Sequence, residues 1–252
     1  TGASGGIGLE MARIHARNGD DLVLVARSED KLLELKRALE KAEDIEVQVI
    51  VKDLASPDAA REIHSGLTSE GVKIDYLINN AGIGDYGLFH ESSWEKQAAM
   101  IDLNVKSLTR LAHLFSADMV RQGSGRIMNV ASTASFQPGP LMSVYYATKH
   151  YVLAFSEAIA QELDEYGITV TALCPGPTES GFQKQAKMEE SRLVTTFPLP
   201  SAREVAEYGY RAMMNGKRVA VHGMMNKFLA QSVRFAPRKL STAVVRKLQE
   251  TR

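Results

Sequence analysis

The sequence predicts an α/β domain of the doubly wound type, with a mainly parallel sheet and helices on both faces. Three observations carry this. Apolar runs of strand length alternate with helix-period patterns, the signature of repeated βαβ units. The chain opens on a glycine-rich turn, Thr1-Gly2-Ala3-Ser4-Gly5-Gly6-Ile7-Gly8, that runs straight into an amphipathic helix. No internal repeat, low-complexity tract or linker divides the 252 residues, so one domain is expected.

The elements follow in order. A first helix is expected from about Gly6 to Asn18, with Gly19 where a helix stop belongs. A strand over Asp21 to Ala26 precedes a charged helix, Glu29 to Glu43, and a strand over Ile45 to Val51 leads to Asp53-Leu54. Ser56-Pro57-Asp58 reads as an N-cap, a proline at the first helical position and a first-turn acid. Asp75 to Asn79 is a short strand. Ser92-Ser93-Trp94-Glu95 has the capping-box pattern and predicts a long helix to about Arg121. A strand over Arg126 to Ala131, a helix over Val144 to Tyr166 and a strand over Ile168 to Cys174 come next. Ser201-Ala202-Arg203-Glu204 caps another helix, and Arg218 to Val221 is a last short strand. A glycine turn of this kind normally follows a buried strand. A strand upstream of Thr1 is therefore expected, between those ending at Ala26 and Asn79, because its neighbours would otherwise face each other unpaired.

Composition narrows the function classes. Thirty basic and 30 acidic residues cancel, which gives no general case for nucleic acid. The balance is uneven, however: from Met224 to Arg252 seven Lys/Arg stand against one Glu, a net +6 that leaves −6 elsewhere. The single cysteine, Cys174, excludes an internal disulfide and fits a reducing compartment, so a cytoplasmic location is expected. Six scattered histidines and one cysteine make no metal-ligand cluster, and no metal is expected. No apolar run approaches the roughly 20 residues of a membrane-spanning helix.

The glycine turn is the first chemical signal. Uncapped amides and the positive end of the helix dipole make it an anion site, and the missing Cβ atoms admit a pyrophosphate. A second signal is Tyr145 and Lys149, four apart on one helix face. A free phenol titrates near 10, too high for proton exchange at neutral pH. An ammonium at roughly 5 Å favours the phenolate by about 3 kcal/mol at an effective dielectric constant of about 20, worth about two pKa units. That would bring Tyr145 into the range where a general acid/base works best.

With these stand Asn79-Asn80-Ala81-Gly82 at a strand end, Ser132 thirteen residues before Tyr145, and Pro175-Gly176 after a strand. The spacing Gly2-x3-Gly6-x-Gly8, the NNAG run and the Ser132/Tyr145/Lys149 set resemble the short-chain dehydrogenase/reductase family, in motif order, to about Val221. The resemblance implies a Rossmann-type fold and reversible hydride transfer between a nicotinamide and a carbonyl/alcohol pair. It also implies roles. Tyr145 would pass a proton to or from the substrate oxygen, Ser132 would orient that oxygen, and Lys149 would hold the nicotinamide ribose. Asn104, a residue type poorly suited to a helix interior, matches the family's fourth member, which ties Lys149 to a water chain. The competitors Tyr146 (with His150 at i+4), Ser135 and Cys174 fit less well. A homo-oligomer is expected by resemblance alone.

NAD-specific sites of this type place an acid at the end of the second strand. Here Ala26 is followed by Arg27 and Ser28, which can grip a 2′-phosphate, so NADP(H) is the expected cofactor. The basic residue that some NADP members carry inside the glycine turn is absent, since Ser4 and Gly5 stand there. By resemblance Gly2, Ser4, Gly6, Ile7 and Gly8 would bind the pyrophosphate, Asp53 and Leu54 would border the adenine, and Asn80, Ala81 and Gly82 the adenosine side. Pro175, Gly176 and Thr178 would lie at the nicotinamide.

The segment from Glu179 to Pro200 is expected to cover the substrate, with Phe182, Met188, Leu193, Val194 and Phe197 as an apolar cover, and a moderately apolar ketone or secondary alcohol is the expected substrate. Beyond Met224 two basic amphipathic helices, split by Pro237, are expected. A subunit-contact or lid element is ranked first for them, a membrane-surface helix second, and a solvated terminal helix remains. Rival functions are an NADP(H)-sensing regulator and an epimerase or dehydratase on the same scaffold.

Overall fold

The structure is a computed structural model that describes residues 1–195 and 198–250. In chain order its elements are α1 Gly6–Arg17, β1 Leu22–Ala26, α2 Glu29–Ala42, β2 Val47–Val51, α3 Ala59–Ser69, β3 Tyr76–Asn79, α4 Trp94–Ile101, α5 Leu108–Gln122, β4 Gly125–Val130, α6 Ser143–Glu162 and β5 Ile168–Cys174. There follow α7 Phe182–Gln185, α8 Arg192–Thr195, α9 Ala202–Met214, β6 Val219–Val221, α10 Met224–Ser232 and α11 Arg238–Gln249. All strand pairs are parallel: β1 with β2, and β3-β4-β5-β6 in that order.

The period-2 alternation of each strand divides the apolar side chains between two layers. Ile127, Ile168 and Val170 face α3 and α5, where they pack with Ile63, Leu111, Phe115 and Met119. Met128, Val130 and Leu173 face the other way, onto Met11 and Ile14 of α1 and Val205 and Met213 of α9. Helices on both faces of a parallel sheet meet the expected doubly wound class. Between β1 and β3 lies a slot of about 1030 Å³, lined by Val23 and Val25 on one side and Leu77 and Ile78 on the other.

Several local expectations are corrected. The helix expected without a break from Trp94 to Arg121 is two helices, α4 and α5, joined by a π-turn over Asp102–Ser107. The unfavourable Asn104 sits inside that turn. The cap of α4 is Ser93, whose Oγ accepts from Lys96 N, so Ser92 and Glu95 do not form the box. α3 starts after Asp58, which leaves Pro57 in the preceding turn rather than in the helix. α6 ends at Glu162, and a separate 3₁₀ turn, Asp164–Tyr166, closes on Gly167 at φ 72°. The Ser201/Glu204 box forms as expected, with bonds of 3.2 and 2.8 Å.

Candidate active site

The glycine turn closes one end of a cavity of about 570 Å³ lined by Gly2, Ser4, Gly6 and Ile7. Gly2 and Gly6 take φ 67° and 56°, the left-handed region that side chains disfavour. No side chain caps α1, so its first amides keep their donors for whatever enters the cavity. Gly8 does not line the cavity, against expectation. It is buried under the turn, where a Cβ would meet the Gly2 carbonyl oxygen at 2.4 Å. Asn80 and Ala81 clamp the turn from the adjoining strand end. Asn80 Nδ2 donates to the Thr1 and Gly2 carbonyls at 3.0 and 3.3 Å, and the Asn80 and Ala81 amides both donate to Thr1 Oγ1 at 3.0 Å.

Beside the turn the wall is basic. Arg27 and Ser28 line it as expected, and Ser28 sits at the N-cap of α2 without spending its hydroxyl on a cap bond. Lys31 and Lys52 line it too, and sequence reasoning missed both. Lys31 lies one helical turn beyond Ser28, a spacing that could have revealed it. Lys52 directly follows β2 and pairs with Glu62. Asp53 and Leu54 reach the same wall, with Asp53 Oδ1 accepting from Ala55 N at 3.0 Å.

At the other end Ser132, Tyr145 and Lys149 converge. Ser132 follows β4 by two residues and caps a 3₁₀ turn, with its Oγ donating to the Pro175 carbonyl at 3.4 Å and accepting from Ala134 N at 3.1 Å. Lys149 is buried. Its Nζ donates to the Val130 carbonyl at 2.7 Å and lies 5.8 Å from the Tyr145 ring centre. Burial lowers the Lys149 ammonium to about 8. The expectation that Lys149 brings the Tyr145 phenol towards neutral pH is not met: burial pushes the phenol above its ordinary value, and the Ser132 hydroxyl draws it only partly back. Burial dominates because both groups have left water, and a buried lysine spent on a carbonyl offsets little of that cost. Tyr145 therefore stands as a protonated phenol, held against Phe182 at 5.3 Å between ring centres.

Asn104 stands close by, behind Gly82. It is 1% exposed and does not touch Lys149: its Oδ1 accepts from Ile83 N at 3.0 Å, and its Nδ2 donates to Ile83 O at 2.9 Å and Thr148 Oγ1 at 3.2 Å. Gly82 lies between the two, where a Cβ would be 3.2 Å from Asn104 Oδ1 and 3.5 Å from Lys149 Nζ. Pro175, Gly176 and Thr178 line the same end, and Thr178 Oγ1 donates to the Gly176 carbonyl at 2.9 Å. Ser135 Oγ donates to the Lys149 carbonyl at 2.7 Å, and Cys174 is fully buried, its thiol pushed up to about 12.

The remaining wall is apolar. Met142, Tyr146, Phe182 and Met188 pack with Ala186 and Val245, which brings the segment after Pro175 and α11 over the same end of the cavity. Phe197 lies outside the described residues, as do Thr251 and Arg252. Gln249 of α11, which sequence reasoning missed, is 1% exposed; its Nε2 donates to the Tyr146 hydroxyl at 2.7 Å, while Tyr86 donates to its carbonyl at 2.7 Å.

No helix among the described residues is long and apolar enough to cross a membrane. Residues 1–191 match the short chain dehydrogenase family. The very-long-chain 3-oxoacyl-CoA reductase-B of Danio rerio is 34% identical over 69% of this chain, and this chain spans only 57% of that relative's length. The very-long-chain 3-oxoacyl-CoA reductase of Homo sapiens is 28% identical over 91% of the chain and 73% of its own length. Among solved structures, a short-chain dehydrogenase from Sphingobium yanoikuyae in complex with NADPH is 32% identical, with TM-score 0.83 over 93% of this chain and 91% of its own. A bulky-bulky ketone specific alcohol dehydrogenase from Comamonas testosteroni is 29% identical, with TM-score 0.79 over 93% and 90%. This chain belongs to the short-chain dehydrogenase/reductase family.

Proposed function

We propose that this protein is an NADP(H)-dependent oxidoreductase that interconverts a moderately apolar ketone and its secondary alcohol, with Tyr145 as the acid/base. One observation carries the reading: Ser132, Tyr145 and Lys149 meet at one end of a cavity whose other end is a glycine turn flanked by three cations. The cofactor fits the residues present. The open amides of α1 suit a pyrophosphate, and Arg27, Lys31 and Lys52 with the free Ser28 hydroxyl suit a 2′-phosphate. The NADPH held by the Sphingobium relative supports the same choice.

When bound, the dinucleotide supplies the hydride. Everything else falls to side chains. Ser132 offers its hydroxyl to the substrate oxygen and fixes its position. Tyr145, kept protonated by burial, gives its proton to that oxygen during reduction and takes one back during oxidation. Lys149 holds a positive charge beside the developing phenolate and binds ribose hydroxyls, and the Val130 carbonyl aims its ammonium. Asn104 fixes Ile83 and Thr148, and with them the loop and helix that frame Lys149, a positioning role. Met142, Phe182 and Met188 exclude water and favour an apolar substituent, with the 179–200 segment as the substrate cover. The ketone-reducing relatives agree with this substrate class.

The test is a panel of ketones with NADPH and of secondary alcohols with NADP⁺, followed as NADPH oxidation or NADP⁺ reduction. Turnover of apolar ketones with NADPH, at higher kcat/KM than with NADH, is expected. No turnover on any carbonyl, with NADPH binding intact, would overturn the reading.

A further inference from the structure

We propose that the outer face of α10 and the link that follows it dock this protein onto an anionic lipid surface. The inference is independent of the catalytic reading. For a helix surrounded by water, α10 is amphipathic the wrong way round. Its inward side holds Ala230, 5% exposed, and Asn226, whose Nδ2 donates to the His222 carbonyl at 2.8 Å. Met224, Met225, Phe228 and Leu229, which share one helix face at i, i+1, i+4 and i+5, turn outward and are between 51% and 80% exposed. Phe235 in the link is 89% exposed. An apolar patch of this size on a surface marks an interaction site.

Charge selects the partner. Arg234, Arg238 and Lys239 are exposed and form no ion pair among the described residues. They belong to a tail of net +6 on a neutral chain. A two-fold pairing of this face with a second copy would gather both copies' cations into one interface, which opposes self-association. An anionic bilayer satisfies both features at once: Phe and Met enter the boundary between headgroups and acyl chains while Arg and Lys meet the phosphates. Leu229 of this face and Leu248 of α11 also line the cavity that holds Tyr145, so the docked face borders the cavity mouth.

Co-sedimentation of the full chain with phosphatidylcholine vesicles, with and without phosphatidylserine, at low and high salt, tests the proposal. Sedimentation is expected only with phosphatidylserine present, and it weakens as salt rises. Reversing three cations together (Arg234→Glu, Arg238→Glu, Lys239→Glu) should lower the affinity by at least about a hundredfold, from the lost contribution of three cations near a charged membrane. Phe228→Ser with Phe235→Ser should lower it about tenfold or more. Circular dichroism and thermal melts of both variants should match the parent, because every changed side chain is exposed. The proposal is overturned by absent sedimentation, by equal sedimentation on neutral vesicles, or by a dimer that the two Phe→Ser changes convert to monomer.

Discussion

Replacing Arg27 by alanine should weaken NADPH binding while leaving NADH binding nearly untouched. The reasoning starts from the wall beside the glycine turn, where Arg27, Ser28, Lys31 and Lys52 line one end of the cavity. A hydrogen bond to a charged group contributes about 1.5–3 kcal/mol. Arg27 is exposed, so solvent and salt screen it, and Lys31 and Lys52 remain on the same wall after the change. The lower end applies: a loss of about 1.5–2 kcal/mol, or about tenfold to thirtyfold in Kd. NADH lacks the 2′-phosphate, so its Kd should move by no more than about twofold. Fluorescence titration of each dinucleotide reads both constants directly, and the NADPH loss should shrink at high salt. An unchanged NADPH Kd would refute the assignment of this wall to the phosphate. Equal losses for NADPH and NADH would show that Arg27 supports the fold of the turn instead.

Other consequences follow from the buried groups. Burial lowers Lys149 to about 8, so its ammonium is present below that pH and lost above it; NADPH affinity should fall as pH rises through about 8, and a flat profile in titrations would contradict the assigned contact. Burial also lowers His15 below its ordinary 6.5 against the pull of Asp20. The unfolded chain then takes up a proton that the folded one refuses, so Tm should be highest above 6.5 and drop as pH falls through it; His15→Gln should flatten that slope. Gln249→Leu leaves the buried Tyr146 hydroxyl without its 2.7 Å donor. A stability loss of about 1–3 kcal/mol is expected in denaturant melts, with KM for the ketone rising more than kcat falls.

The fold was legible because strand alternation and helix period are local signals that this chain obeys. Ile127 and Met128, adjacent in β4, point into opposite cores as period 2 requires. Ser132, Tyr145 and Lys149 were legible because their spacing is fixed by one strand end and one helix turn. What escaped depends on contacts distant in sequence. Gln249 meets Tyr146 across 103 residues, and nothing in its neighbourhood announces that. Lys52 reaches the basic wall beside Arg27 only because β1 and β2 pair in a register that sets Ala26 beside Val51. The Tyr145 phenol was misjudged for a related reason: helix spacing supplies the nearby cation but not the burial that outweighs it. Asn104 was singled out correctly as unusual, yet the reason for its place, a π-turn bonded to Ile83 and Thr148, is tertiary.

The most direct test of the central claim is Tyr145→Phe, measured as NADPH binding by fluorescence and as turnover of the best ketone from the panel. The ring and its packing on Phe182 survive the change and only the hydroxyl is lost. NADPH affinity should stay within about threefold while kcat falls by at least about a hundredfold, the usual contribution of a positioned acid/base. Turnover that survives, or NADPH binding that disappears with it, would contradict Tyr145 as the proton carrier of this site.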